Sequence, residues 1–453
     1  ADQNVALTTL YTQQIEDSGA GSIHLKVLDD QYISSNIGGV SSYSLRQGQI
    51  AFKDGLQLSL DGTLVLDASE FIMPSVGGEQ AASLVAHALR MGTSDIQYNR
   101  ITPTRYTDLL ENDDISVFTI NSPTDNTTLN ISANLIDVFG DSVYNNIASL
   151  NLDSSSDIRF VGLKRNRNAL ISATLDPDDS YFGTTDIIGS MSMQDVALQL
   201  SAEILYPTMM SDFEIINNGA QSSVTTIDAS SASAPTPYSL GASLTITARQ
   251  IEHAGHISAP EGSVTLNGDQ TADSSISIRP DSSISVSGGD SYLPFANILL
   301  NQFPVFQLNS TGLESIDSAT DLVFDKDNLM AFPSKNLSMN AETIAIDRGA
   351  LIDLSATNNI VSNQFNAGLD GTRDIINTVS GADRFVLAPS TLVGDSAQPV
   401  DPSTNSDFSA EFGETITLLS DAFGLVAGTY VKLPTQYALL PNHVLFEVVD
   451  GYE

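Results

Sequence analysis

Ser243-Leu-Thr-Ile-Thr-Ala248, then Ile251 and Ile257, then Gly262-Ser-Val-Thr-Leu-Asn-Gly268, Ser275-Ile-Ser-Ile278 and Ser283-Ile-Ser-Val-Ser287 decide the fold. In each burst the apolar residues alternate with small polar ones, which gives a strand a single apolar face a few residues long. Such a strand has too little surface to bury itself. Leu244 and Ile246 return as Val264 and Leu266 about 20 residues later, at the short end of solenoid repeats. Stacking successive turns of the chain solves the burial problem, because the inward Ile, Leu and Val of one coil pack on those of the next. Ala259-Pro260-Glu261-Gly262 reads as a corner between strands, since proline lacks a ladder donor and glycine admits a positive φ.

The same rhythm extends outward in both directions. Ile23, Leu25 and Val27; Leu56, Leu58 and Leu60; Leu64 and Leu66; Leu129 and Ile131; Leu150 and Leu152; and Ile158 and Phe160 are period-two bursts bounded by turn-forming residues. Leu337, Met339, Ile344, Ile346, Ile352 and Leu354 repeat it at 336–356, with Asp347-Arg348-Gly349 as a turn. Coils are therefore expected over 1–76, 121–290 and 336–411. Residues 77–120 read as an excursion with a short helix near 80–91, because Leu84, Ala88 and Met91 have helical spacing and Gly92 is placed to end it. Residues 291–335 carry Phe295, Phe303, Phe306, Phe324 and Phe332 without a strand rhythm and read as an aromatic excursion on the flank. Residues 361–411 read as long loops. The denser apolar strands of 412–453 read as a cap or docking segment, folded across the end or flank of the stack.

A formal charge of −37, from 55 acidic and 18 basic residues, repels phosphate and anionic membrane surfaces and argues against nucleic acid as a partner. The chain has no cysteine, so disulfides, thiolate metal sites and cysteine nucleophiles are excluded. It has no apolar run of about 18 residues, the length that a membrane-crossing helix requires. The opening Ala1-Asp2-Gln3-Asn4 does not have the form of an export signal, which is expected to lie outside these residues.

Candidate chemistry is sparse. His253-Ala-Gly-His256 is the one close histidine pair, expected at a solvated turn. Acidic clusters stand at Asp29-Asp30, Asp113-Asp114, Asp176-Pro-Asp178-Asp179 and Asp325-Lys-Asp327. Alternating carboxylates converge on hard cations, so Asp176, Asp178 and Asp179 are the candidate calcium ligands, although the cluster lacks the EF-hand's glycine and terminal glutamate. Lys164-Arg165-Asn166-Arg167 is the concentrated basic patch and reads as a turn on a solvated face. A β-helical polysaccharide-active enzyme is the catalytic alternative, and no paired carboxylates or strained nucleophile mark it in the sequence.

Two regions carry a resemblance. Leu198-Gln-Leu-Ser-Ala-Glu-Ile-Leu-Tyr-Pro207, the coils at 244–268 and Ser283-Ile-Ser-Val-Ser-Gly-Gly289 follow one another as in the C-terminal half of filamentous haemagglutinin family outer-membrane exoproteins. Thr415–Tyr430 and Gln436-Tyr-Ala-Leu-Leu-Pro441 resemble that family's closing phrases. The resemblance implies a right-handed parallel β-helix and export by two-partner secretion through an outer-membrane β-barrel transporter. It further implies a non-catalytic place on the bacterial cell surface. Expected partners are host-cell, neighbouring-cell or matrix polysaccharide receptors, with self-association into filaments. The corresponding function is an adhesin or stalk segment, with a passive spacer of a surface filament as the alternative.

Overall fold

The computed structural model is all-β, with no α-helix among the described residues. It describes residues 15–17, 23–27, 32–37, 40–45, 49–73, 78–93, 120–124, 126–166, 185–228, 237, 239–268, 273–288, 290–293, 296–299, 303–306, 335–355, 359–362, 384–389, 415–421, 425–433, 438, 440 and 443–447.

Two long parallel sheets dominate, one of nine strands and one of sixteen, and the larger contains two rows of strands. The chain enters the second row at Ile23–Lys26 and then passes repeatedly through the smaller sheet, the first row and the second row. The first complete pass is Gln49–Ala51, Gln57–Ser59 and Thr63–Asp67, and the next is Glu70–Ile72, Gln80–Val85 and Ala88–Gly92. Thr127–Phe139 runs through both rows as one bent strand, its register shifting between Ala133 and Leu135, and Asp141–Asn145 with Ser149–Val161 repeats that form. Thr185–Gln194, Ala197–Ala202 and Ile204–Pro207 follow, then Asp212–Asn218 and Ser223–Asp228. Ser243–Ala248, Gln250–Ala254 and His256–Ser258 lead to Ser263–Gly268, Ser275–Ile278 and Ser283–Ser285. The last pass is Asn336–Asn340, Thr343–Ile346 and Leu351–Asp353. This stacked parallel order is consistent with a β-solenoid.

Pairing places like on like. In the smaller sheet Phe213, Leu244, Val264 and Leu337 form one column, and Met191, Ile215, Ile246, Leu266 and Met339 another. Leu244 is paired with Val264 and Ile246 with Leu266, the correspondence read from the sequence. In the second row Ile23, Leu64, Leu89, Ile136, Ile158, Leu205, Ile257, Ile284 and Ile352 make a column through the whole stack. Most of these side chains belong to one continuous core. Each buried aliphatic side chain contributes about 1.5–3 kcal/mol, and none could be buried by its own strand.

The expected helix near 80–91 is two strands. Ala82 and Leu84 point inward against Leu129 and Ile131, and Leu89 and Met91 against Ile136 and Val138. Alanine-rich composition favours a helix, but ladders on both sides and a core that accepts alternate side chains override that weak preference. The excursion 291–335 contains the antiparallel hairpin Ala296–Leu299 with Phe303–Phe306, while Asp290–Leu293 pairs with Asn359–Ser362 and Lys335 Nζ donates to Glu261 Oε1 at 2.7 Å; the rest of it lies outside the described residues.

A separate antiparallel sheet joins strands far apart in sequence, in the order Ile15–Asp17, Thr415–Leu418, Gly428–Leu433, Arg384–Pro389 and Val444–Glu447. Phe385, Leu387, Ile416, Leu418, Leu425, Tyr430 and Phe446 form its core. Arg384–Pro389, in the stretch read as loop, is paired on both sides.

Turns between passes are tight. Gly140 has φ +61°, and a Cβ there would lie 2.3 Å from the Thr93 carbonyl oxygen; a Cβ on Gly262 would lie 1.9 Å from that of Ala242. Gly262→Val is therefore expected to destabilise the fold by about 2–4 kcal/mol in urea titrations. Gly55→Ala, at a positive φ but in open space, should cost about 1 kcal/mol.

Candidate functional site

The charged groups that the structure brings together are not those marked in the sequence. In the second row, side chains flanking the inward column point to the opposite side of the sheet, and register aligns Arg90 with Asp137, Asp137 with Arg159, and Arg159 with Tyr206. All four are buried, as are Asp157, Leu135 and Phe139 on that same outward side. Arg159 grips Asp137 with two hydrogen bonds, Nε donating at 2.6 Å and Nη2 at 3.0 Å. Arg90 Nε lies 3.1 Å from the second Asp137 oxygen, and its guanidinium stacks 5.6 Å from the Phe139 ring centroid. Ser156 Oγ and Tyr206 Oη donate to the two oxygens of Asp157, at 3.2 and 3.4 Å.

Burial sets the ionisation of this row. It pulls Arg90 down to about 9 against the attraction of Asp137, which leaves the guanidinium cationic at neutral pH. For Arg159 burial works in the same direction, but the Asp137 carboxylate outweighs it and holds the value above the ordinary one. Burial pushes Asp157 up to about 7, with Arg159 opposing, and it raises Tyr206 well above a normal phenol with the Asp157 charge adding to the effect. Two arginines converging on one carboxylate form a closed electrostatic unit. What it supplies is cohesion between three passes, since the carboxylate and both guanidinium groups are buried. Asp137→Ala would leave two buried guanidinium groups without their shared anion, and a loss of about 3–5 kcal/mol is expected by denaturant titration.

His253 sits inside the core, not at a solvated turn. It continues the first-row column Leu58, Leu84, Ile131, Leu152, Leu200, Thr226, His253, Ile278 and Ile346. The polar members satisfy one another: Thr226 Oγ1 is 2.6 Å from His253 Nδ1, while His253 Nε2 donates to the Ser283 carbonyl at 3.0 Å. His256 Nδ1 is 2.7 Å from Ser283 Oγ. Burial lowers His253 to about 4. Its folded value lies below the ordinary 6.5, so its stability contribution is whole above pH 6.5 and falls by about 3 kcal/mol as pH drops to 4. Asp157 acts oppositely: its folded value is raised, so stability is lost as pH rises from about 4 through 7. Stability curves against pH should therefore lose their acid slope in Thr226→Val/His253→Ile and their neutral slope in Asp157→Asn.

Asp176, Asp178 and Asp179 lie outside the described residues, as do Asp29, Asp30, Asp113, Asp114, Asp325 and Asp327. Among the described residues no group of three His, Cys, Asp or Glu is placed to hold a metal. Leu163–Asn166, containing Lys164 and Arg165, forms an antiparallel pair with Thr185–Gln194, and 167–184 is the segment between those strands.

The segments between passes follow a second order. Long ones occupy 27–48, 93–126, 162–184, 229–242 and 286–335, whereas the intervening connections 68–69, 140, 208–211 and 259–262 are one to four residues. Long and short alternate, and each falls on the return from the larger sheet to the start of the next pass. Within the sheets the ladder closes behind two of them: Glu70–Ile72 pairs directly with Asp141–Asn145, and Leu205 with Ile257.

No family model, curated protein or solved structure matches the chain. The fold and the buried row define the class: an all-β protein of stacked parallel strands, carrying segments of variable length at alternate passes.

Proposed function

We propose that this chain is an adhesin or stalk segment of a large secreted bacterial exoprotein, whose parallel stack is a right-handed β-helix that displays recognition segments along one side. The alternation of long and short connections carries this reading. Parallel strands lie about 4.8 Å apart, so segments on alternate passes recur about every 10 Å, the spacing of an extended contact surface. The resemblance to filamentous haemagglutinin family exoproteins gives the same direction: export through an outer-membrane β-barrel transporter, a cell-surface location and a receptor on cells or matrix polysaccharide. The charge of −37 favours partners other than nucleic acid. A non-catalytic role is supported by the ionisable groups of the second row, which are spent on one another. Calcium at Asp176, Asp178 and Asp179 belongs to this proposal as an accessory of the segment 167–184.

Deleting 291–335, which joins two passes of the stack, tests the display function. Attachment of the purified protein to cells or immobilised polysaccharide should fall at least tenfold while the urea midpoint stays near that of the parent. Undiminished attachment by a folded deletion variant would remove this segment from the binding role and favour the passive spacer.

A further inference from the structure

Among the described residues both ends of the parallel stack are unpaired, and they match. No described strand pairs with the outer edge of the last pass, where the core columns stop at Ile344, Ile346 and Ile352, and Ile346 is 54% exposed. Leu351, 58% exposed, and Leu354 stand beside them. Among the described residues the first pass is unpaired in the same way: Ile23–Lys26, Gln49–Ala51 and Gln57–Ser59 are edge strands, with Leu25 47% and Leu56 37% exposed. Unpaired edges that show core side chains recruit further strands unless something covers them.

We propose that a second copy of this chain covers each end, the last pass of one molecule stacking on the first pass of the next. Three observations select this occupant. First, the columns are continuous from end to end, so Ile352 and Ile23 stand in one column and Ile346 and Leu58 in another. Carrying them across the junction lays Ile352 on Ile23 and Ile346 on Leu58, the contacts that every internal pass makes. Second, all ladders of the two large sheets but the Leu163–Asn166 hairpin are parallel, and a head-to-tail step preserves strand direction in every row, whereas tail-to-tail contact reverses it.

Third, the continued register sets one acid of the last pass beside basic residues of the first. The last pass carries Glu342, Asp347 and Asp353 against Arg348, and the first carries Lys26, Lys53 and His24 against Asp54, Asp61 and Asp67, with Asp67 3.4 Å from Lys26 and 3.8 Å from His24. The continued register brings Asp353 beside His24, with Lys26 two residues further along the same strand. Two last passes facing one another would instead oppose their carboxylates. The contact is heterologous and leaves a free end at each addition, so it propagates. The net charge of −37 resists it at long range, and moderate salt screens that repulsion to within about 8–10 Å while leaving the apolar junction intact.

Sedimentation velocity of the full chain at 0.15–0.5 M salt, over a hundredfold concentration range, tests the proposal. Wild type should form a concentration-dependent ladder of elongated species. Ile346→Asp, blocked at the last pass, and Leu25→Asp, blocked at the first, should each be monomeric alone, and their equimolar mixture should stop at a dimer. A wild type that stays monomeric, variants that still form ladders, or a mixture without dimer overturns it. Where Leu25→Asp lowers the melting temperature, His24→Glu on the exposed side of the same strand serves in its place, with the same outcomes required.

Discussion

Parallel pairing in strict register is the constraint on which this structure depends. A strand of three to six residues with one apolar face contributes nothing by itself, and the core exists because the ladder sets Leu on Leu and Ile on Ile over successive passes. A slip of one residue in any pass would turn its inward set outward and break several columns at once. Tight glycine turns such as Gly140 and Gly262 follow from the same demand, since a passing carbonyl lies where a side chain would begin.

Within that frame polar groups are placed in two ways. Thr226 and His253 interrupt a column of Leu and Ile, and they are tolerated because each supplies the hydrogen bond the other needs. Arg90, Asp137, Arg159 and Tyr206 form a row on the other side of the sheet, buried as completely as the core. A buried ionic row adds little net stability over apolar packing, but it punishes misregister, because a one-pass error would oppose like charges.

The alternation of long and short connections has a steric reason. Strands repeat at about 4.8 Å, whereas a segment of chain with side chains is about 10 Å across, so insertions on adjacent passes would collide. Leaving every second turn bare provides the width. Pass geometry thus limits how densely such a protein can carry variable segments, whatever those segments recognise.

How much of this was legible in the residues differs by level. Alternation in 243–287 determined strands, the pairing of Leu244 with Val264 and the corner at 259–262, because these depend on local period and turn chemistry. The helix read over 80–91 was misassigned because helical spacing of Leu84, Ala88 and Met91 coexists with period two inside each of two strands. The buried row was written in Leu89-Arg-Met91, Ile136-Asp-Val138 and Ile158-Arg-Phe160, each an ordinary strand with a charged outward residue. Their mutual contact depends on register across segments of very different length, and their burial depends on what covers the outer side of the sheet. His253 was read at a solvated turn, whereas Gln250–Ala254 is a strand whose alternation turns Ile251 and His253 inward. Sequence determined the strand and its alternation; tertiary stacking decided the facing side, the neighbours and the ionisation, because those follow from the packing of passes that the local pattern does not count.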